Sequence, residues 1–191
     1  MHSPKDFLQK LKKGDKQAFR QLVEDHKNMV YTTAYGFVHN KAEAEDIAQE
    51  VFVEVFNSID KFKGEAKIST WIYRITVNKS INALNKMKRI GKVKQTTTSY
   101  DPENENSLEI PEETKNSPDA IHENQERREI LENAIDGLPE NQKTAFVLHK
   151  YDGLAYKQIS DIMETSLSSV ESLLHRAKTN LQKKLVNYYR S

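Results

Sequence analysis

The sequence contains no cysteine, which excludes disulfides and thiolate zinc sites and fits a reducing compartment. Glycine and proline are scarce, six and five in 191 residues, while helix formers abound, so the expected class is all-α. No apolar run approaches the roughly 18 residues needed to span a bilayer. The opening "MHSPKDFLQKLKKGDK" lacks the uninterrupted apolar core of a signal peptide. The expectation is a soluble, cytoplasmic protein without membrane contact of its own. Net charge is also missing: 29 Lys and Arg face 28 Asp and Glu, for a formal charge of +1. A nucleic-acid partner therefore has to be argued from local charge.

Local charge is strongly segregated. Residues 61–94 hold ten basic side chains against Glu65 alone, a net +9. Residues 95–123 hold eight acids against Lys115, a net −7, together with Pro102, Pro111 and Pro118 and almost no large apolar residue. Such a stretch buries too little surface to offset its chain entropy, which predicts an extended linker. The organisation read from this is an N-terminal helical domain over 1–94, an acidic linker over 95–126 and a C-terminal helical domain over 127–191.

In the N-terminal domain, Phe19, Leu22, Val23, Met29, Val30, Ala34 and Phe37 recur mostly at helical spacing. Ala44, Ile47, Ala48, Val51, Phe52, Val55, Phe56 and Ile59 form a broad apolar face on the next helix. Opposite it stand Asp46, Gln49, Glu50, Val53 and Asn57, an acidic stripe with one apolar residue. Such a stripe repels nucleic acid and suits a basic protein surface; an ordinary solvated face is the alternative. A third helix begins near Ser69 or Thr70. Along it Trp71, Asn78, Asn82 and Asn85 fall on one line, flanked by Lys79 and Lys86. A ring, side-chain amides and cations are what single-stranded DNA recognition uses, and the preceding basic loop "DKFKGEAKIST" could frame a pocket for an unstacked base. The alternative makes Trp71 a core residue. The apolar positions leave both open, because Ile72 and Ile75 face away from Val77, Ile81 and Leu84.

Near the end, "YKQISDIMETSLSSVESLLHRAK" reads as two short helices joined by a polar turn. Ser168 as N-cap would place Glu171 at the third helical position, a capping box. Val170, Leu173, Leu174, Ala177, Leu181 and Leu185 then lie on one side and Ser168, Ser172, His175, Arg176 and Thr179 on the other, with Ser169 at the edge. The unit suits a helix-turn-helix whose second helix enters a major groove, or else an ordinary helical hairpin. No His joins the carboxylates of the acidic stripe, and the six His of the chain are scattered, which speaks against catalysis, a metal or a cofactor.

Together these segments resemble an extracytoplasmic-function (ECF) sigma factor of the sigma-70 family, over roughly residues 8–90 and 130–186. "AEDIAQEVFVEVFNSIDKF" is similar to the polymerase-binding part of region 2, "STWIYRITVNKSINALNK" to its −10-recognition part, and the C-terminal block to region 4. The resemblance implies a non-enzymatic promoter-specificity subunit with two helical domains. It implies that Asp46, Gln49, Glu50, Val53 and Asn57 face the β′ clamp helices of core RNA polymerase, with the β flap a further contact. Lys63, Lys67, Thr70, Trp71, Tyr73, Arg74, Asn78, Lys79 and Asn82 would handle the melted non-template strand at the −10 element. Ser168, Ser169, Ser172, His175, Arg176 and Lys178 would meet the −35 duplex, and an anti-sigma factor would be a further partner. The family often has a basic residue where this chain has Leu173, and a glycine near the turn where it has Glu164-Thr165-Ser166. A stand-alone helix-turn-helix regulator is the rival reading, and a helical metal-carboxylate protein a second.

Overall fold

The computed structural model describes the backbone of residues 4–97 and 118–190 and the side chains of residues 6–90 and 124–186. Every regular element among them is helical, as the scarcity of glycine and proline implied: α1 (Pro4–Lys12), α2 (Lys16–Val38), α3 (Lys41–Ser58), a 3-10 turn (Ile59–Lys61), α4 (Ile68–Thr97), α5 (Pro118–Asp136), α6 (Glu140–Lys150), α7 (Tyr156–Ile162) and α8 (Leu167–Arg190). Residues 98–117 of the expected linker lie outside the described part. Its last residues are helical, since α5 begins at Pro118, a residue suited to a first helical position because its missing N–H has no partner there in any case.

Local chemistry sets the N-terminal bundle. The Asp15 carboxylate caps α2 by accepting from Ala18 N (3.0 Å) and Gln17 N (2.8 Å), which holds its pKa below the usual value. Asn40 accepts from Glu43 N at 3.1 Å and starts α3. Between them α2 stops at His39, which takes a left-handed conformation (φ 50°). α2, α3 and α4 pack on one another around Leu22, Val30, Ala34, Val51, Val55 and Ile72, all essentially buried.

In the C-terminal block, α8 is the spine against which α5, α6 and α7 pack. Ala145, Val147, Leu148, Ile159, Val170 and Ala177 are buried there. The turn between α7 and α8 needs a positive φ at the residue after Met163, and Glu164 supplies it at 51°. This is the place where the family resemblance expected glycine; a non-glycine residue there costs about 1 kcal/mol.

The two blocks interlock. Gly36, inside α2, lies so close to α6 that a Cβ added there would come within 2.7 Å of Val147 Cγ1 and 3.1 Å of the Tyr151 ring. The Lys143 ammonium, from α6, donates to Phe37 O in the last turn of α2 (2.7 Å) and to Asp136 Oδ1 (2.6 Å), with the side chain only 2% exposed. Lys143 thus caps a helix of the other block, satisfying a carbonyl that has no partner within its own helix. His39 Nδ1 lies 3.3 Å from the same Asp136 oxygen, and Thr33 Oγ1 lies 3.0 Å from each Asp152 oxygen. The two apolar faces of α4 now divide: Ile72, Thr76 and Ser80 form the buried ridge toward the N-terminal bundle, while Val77, Ile81 and Leu84 line the junction with Leu138, Thr144 and Ile162.

Candidate nucleic-acid and partner interfaces

On α3 the helical period places Asp46, Gln49, Glu50, Val53 and Asn57 on one exposed face. With Glu54 and Lys79, the first four of them line an open hollow of about 420 Å³. Val53 is 60% exposed at its centre. Phe56, expected in the core face, is instead 54% exposed and meets Phe19 edge-on at 5.1 Å. The apolar stripe of α3 is wider than the bundle can cover, so its margin is left beside Val53. Sequence reasoning missed Phe56 for this reason: periodicity assigns a face but not how much of it a neighbour covers.

The basic loop and α4 present a mixed surface. The helix starts at Ile68, a little before the expected cap, with Lys67 O accepting from Trp71 N at 3.2 Å. Lys63 and Lys67 are exposed and Thr70 half-buried. Trp71 is half-buried, packed on the core with its ring 5.1 Å from that of Phe62. The ring is thus partly structural, while the helical period places the exposed Asn78, Asn82 and Asn85 on the same line of α4. Lys79 lies against α3, 3.6 Å from Glu50 and 4.0 Å from Glu54. Tyr73 and Arg74 turn toward the C-terminal block. Tyr73 is buried, and burial first, then the Asp152 charge, pushes its hydroxyl well above the ordinary value. Arg74 donates to Asp161 O and pairs with Glu164 Oε1, both at 2.6 Å. A cleft of about 580 Å³ separates Lys67, Thr70, Tyr73 and Arg74 on one side from Gln158, Asp161 and Glu164 on the other.

On α8, Ser168, Ser172, His175, Arg176 and Lys178 are exposed and Ser169 half-buried. Leu173 packs against the core, on the opposite side. The expected cap is corrected: α8 starts at Leu167, and Ser166 Oγ accepts from Ser169 N at 3.2 Å while Ser166 O takes Val170 N. Two serines competed for the cap, and the tight turn at Glu164 favours the earlier one. Ser168 consequently sits inside the first turn. Glu171, freed from a capping role, lines a shallow hollow with Ser172, His175 and Arg176.

Among the described residues no helix is long and apolar enough to cross a membrane, and no three His, Asp or Glu side chains gather as a metal set. The chain is similar to known proteins in both halves. Residues 22–90 match the family model described as Sigma-70 region 2 and residues 128–181 that described as Sigma-70, region 4. The ECF RNA polymerase sigma-E factor of Haemophilus influenzae is 31% identical over 190 residues, covering 94% of this chain and 93% of that protein. The fold resembles CnrH in its complex with the cytosolic domain of CnrY (TM-score 0.63, 18% identity, 95% of this chain and 96% of that one). It also resembles the sigma factor RpoE of Bartonella quintana in complex with the anti-sigma factor NepR (TM-score 0.60, 19% identity, 87% and 96%). With both models matched in order and an ECF relative aligned along almost the whole chain, this protein belongs to the sigma-70 family of RNA polymerase sigma factors, among those of the ECF type.

Proposed function

We propose a division of labour among three faces of this sigma factor. α3 docks on the β′ clamp helices of core polymerase through Asp46, Gln49, Glu50, Val53 and Asn57. α4 with its loop takes the melted −10 strand through Lys63, Lys67, Thr70, Trp71, Tyr73, Arg74, Asn78, Lys79 and Asn82. α8 reads the −35 duplex through Ser168, Ser169, Ser172, His175, Arg176 and Lys178. The observation that carries this is the match of both region models in order, with an acidic and a basic helix face inside the first matched segment and a helix-turn-helix inside the second. Sigma factors are non-enzymatic regulatory proteins, and this chain acts in the cytoplasm without catalysis or cofactor. Binding energy from both domains, held on one polymerase, substitutes for ATP in opening DNA. An anti-sigma factor is the expected regulator, as for the Bartonella quintana neighbour, which is in complex with one.

Run-off transcription of a genomic promoter library with core polymerase tests the reading: new start sites appear when this protein is added, and their absence overturns it. Asp46→Ala with Val53→Ala lowers core affinity about 100-fold in a pull-down, since central apolar and charged anchors dominate such surfaces. Unchanged affinity removes α3 from the interface.

A further inference from the structure

The junction between the blocks has the marks of a built contact. Gly36 would cost α2 about 1 kcal/mol in helix propensity, and the close approach of Val147 and Tyr151 is what requires it. A buried ammonium costs several kcal/mol unless it is well paired, and Lys143 is paired with oxygens from both blocks. Val77, Ile81 and Leu84 make a second apolar face on α4 that its own bundle leaves uncovered. At the end of this junction, Glu164 and the Asp161 carbonyl hold the Arg74 guanidinium. They present to it a carboxylate and a carbonyl oxygen in the way a phosphate would present two oxygens. The α3 stripe and the reading side chains of α8 remain exposed in the same arrangement.

We propose that in the free protein the C-terminal block is a built-in competitor for the melted strand, docked on α2 and α4 with Glu164 as a phosphate mimic for Arg74. The polymerase-docking face stays open while Tyr73 and Arg74 of the strand-capturing face are held by the C-terminal block. Capture of the −10 strand then waits until the blocks part. The proposal rests on the assignment of Arg74 and Asn78 to that strand.

The test uses Gly36→Leu, which strengthens α2 as a helix while its side chain fills the space of Val147 and Tyr151, and Lys143→Met, which removes the cap at similar length. Dyes on cysteines introduced at Arg20 and Gln182, in a chain that has none, report the separation by energy transfer. Circular dichroism checks that helicity is kept. Expected is a fall in transfer for both variants, with about tenfold tighter binding of a labelled A/T-rich single strand to the free Gly36→Leu protein, since a closed state lowers apparent affinity by the fraction open. Unchanged transfer in both variants overturns the proposal, as does parted blocks with unchanged strand affinity. In the latter case Asn78→Ala still impairs opening by the holoenzyme if the strand assignment is sound. If tighter binding survives Asn78→Ala in the Gly36→Leu background, the strand lies elsewhere and the assignment fails along with the proposal.

Discussion

α4 and α8 both carry polar faces assigned to DNA, yet the protein treats them differently. The reading side chains of α8 stand in solvent on one face, with the packing residues Val170, Ala177 and Leu181 on the other. On α4 the corresponding set is divided. Asn78 and Asn82 are exposed, Trp71 is half-buried, Lys79 is tied to α3, and Tyr73 and Arg74 are engaged by the other block. A helix with one apolar face has one partner and leaves its other side free. A helix with two apolar faces has a choice of partners, and its polar residues share the consequences. On the proposed assignments the duplex reader is thus always available, whereas the strand reader is conditional.

This contrast can be broken most sharply by Asn78→Ala with Asn82→Ala. Base-edge and stacking contacts to single strands are worth about 1–3 kcal/mol each. Open-complex formation by the holoenzyme, followed by permanganate reactivity, should fall about 100-fold while −35 duplex binding stays unchanged. Both residues are exposed, so thermal stability should move by less than about 0.5 kcal/mol.

Acidity sharpens the comparison next. Burial pushes the Asp152 carboxyl up to about 7, with the Thr33 hydrogen bond opposing, whereas a free carboxyl titrates near 3.8. Thr33 Oγ1 also lies 2.9 Å from Met29 O, so a protonated Asp152 can donate to Thr33 while Thr33 donates to Met29. Glu132, raised by burial, adds in the same direction; the lowered Asp136 acts only below the ordinary carboxylate range. A closed state that keeps a proton longer is favoured fully below about pH 4 and loses that advantage as pH rises to about 7. Energy transfer between the blocks should therefore fall over this window, by at most about tenfold in the closure constant per unit. Asp152→Asn should flatten much of the curve.

A smaller effect is expected from Arg176→Ala. Loss of one exposed cation should weaken duplex binding by about 1–3 kcal/mol if it reads a base, or uniformly with a salt slope lower by about 1 if it meets phosphate. Titration at several salt concentrations separates the two. Smallest is Glu164→Gly: relief of the left-handed backbone offsets the lost partner of Arg74, so the melting temperature should change by only a few degrees.

Much of this was legible in the residues. Helical periodicity located the three faces, and Leu173 sat on the packing side as its spacing implied. The acidic stripe of α3 could be read because it needs nothing beyond its own helix. The cap of α8 could not, because Ser166 and Ser168 offer equivalent acceptor oxygens until the turn at Glu164 decides where the helix begins. Phe56 was assigned to the core because spacing does not reveal how far a neighbour reaches.

By itself the sequence determined that the protein is helical, divided by charge, and equipped with two C-terminal helices joined by a polar turn and a basic helix carrying a line of Trp and Asn. Each of these follows from local composition and from a period of 3.6 residues. Only the tertiary structure decided what occupies the second apolar face of α4, why Gly36 interrupts a good helix, and where the Lys143 ammonium goes. Most of those are contacts between residues far apart in the sequence, and a helical period specifies the direction of a side chain but not what meets it.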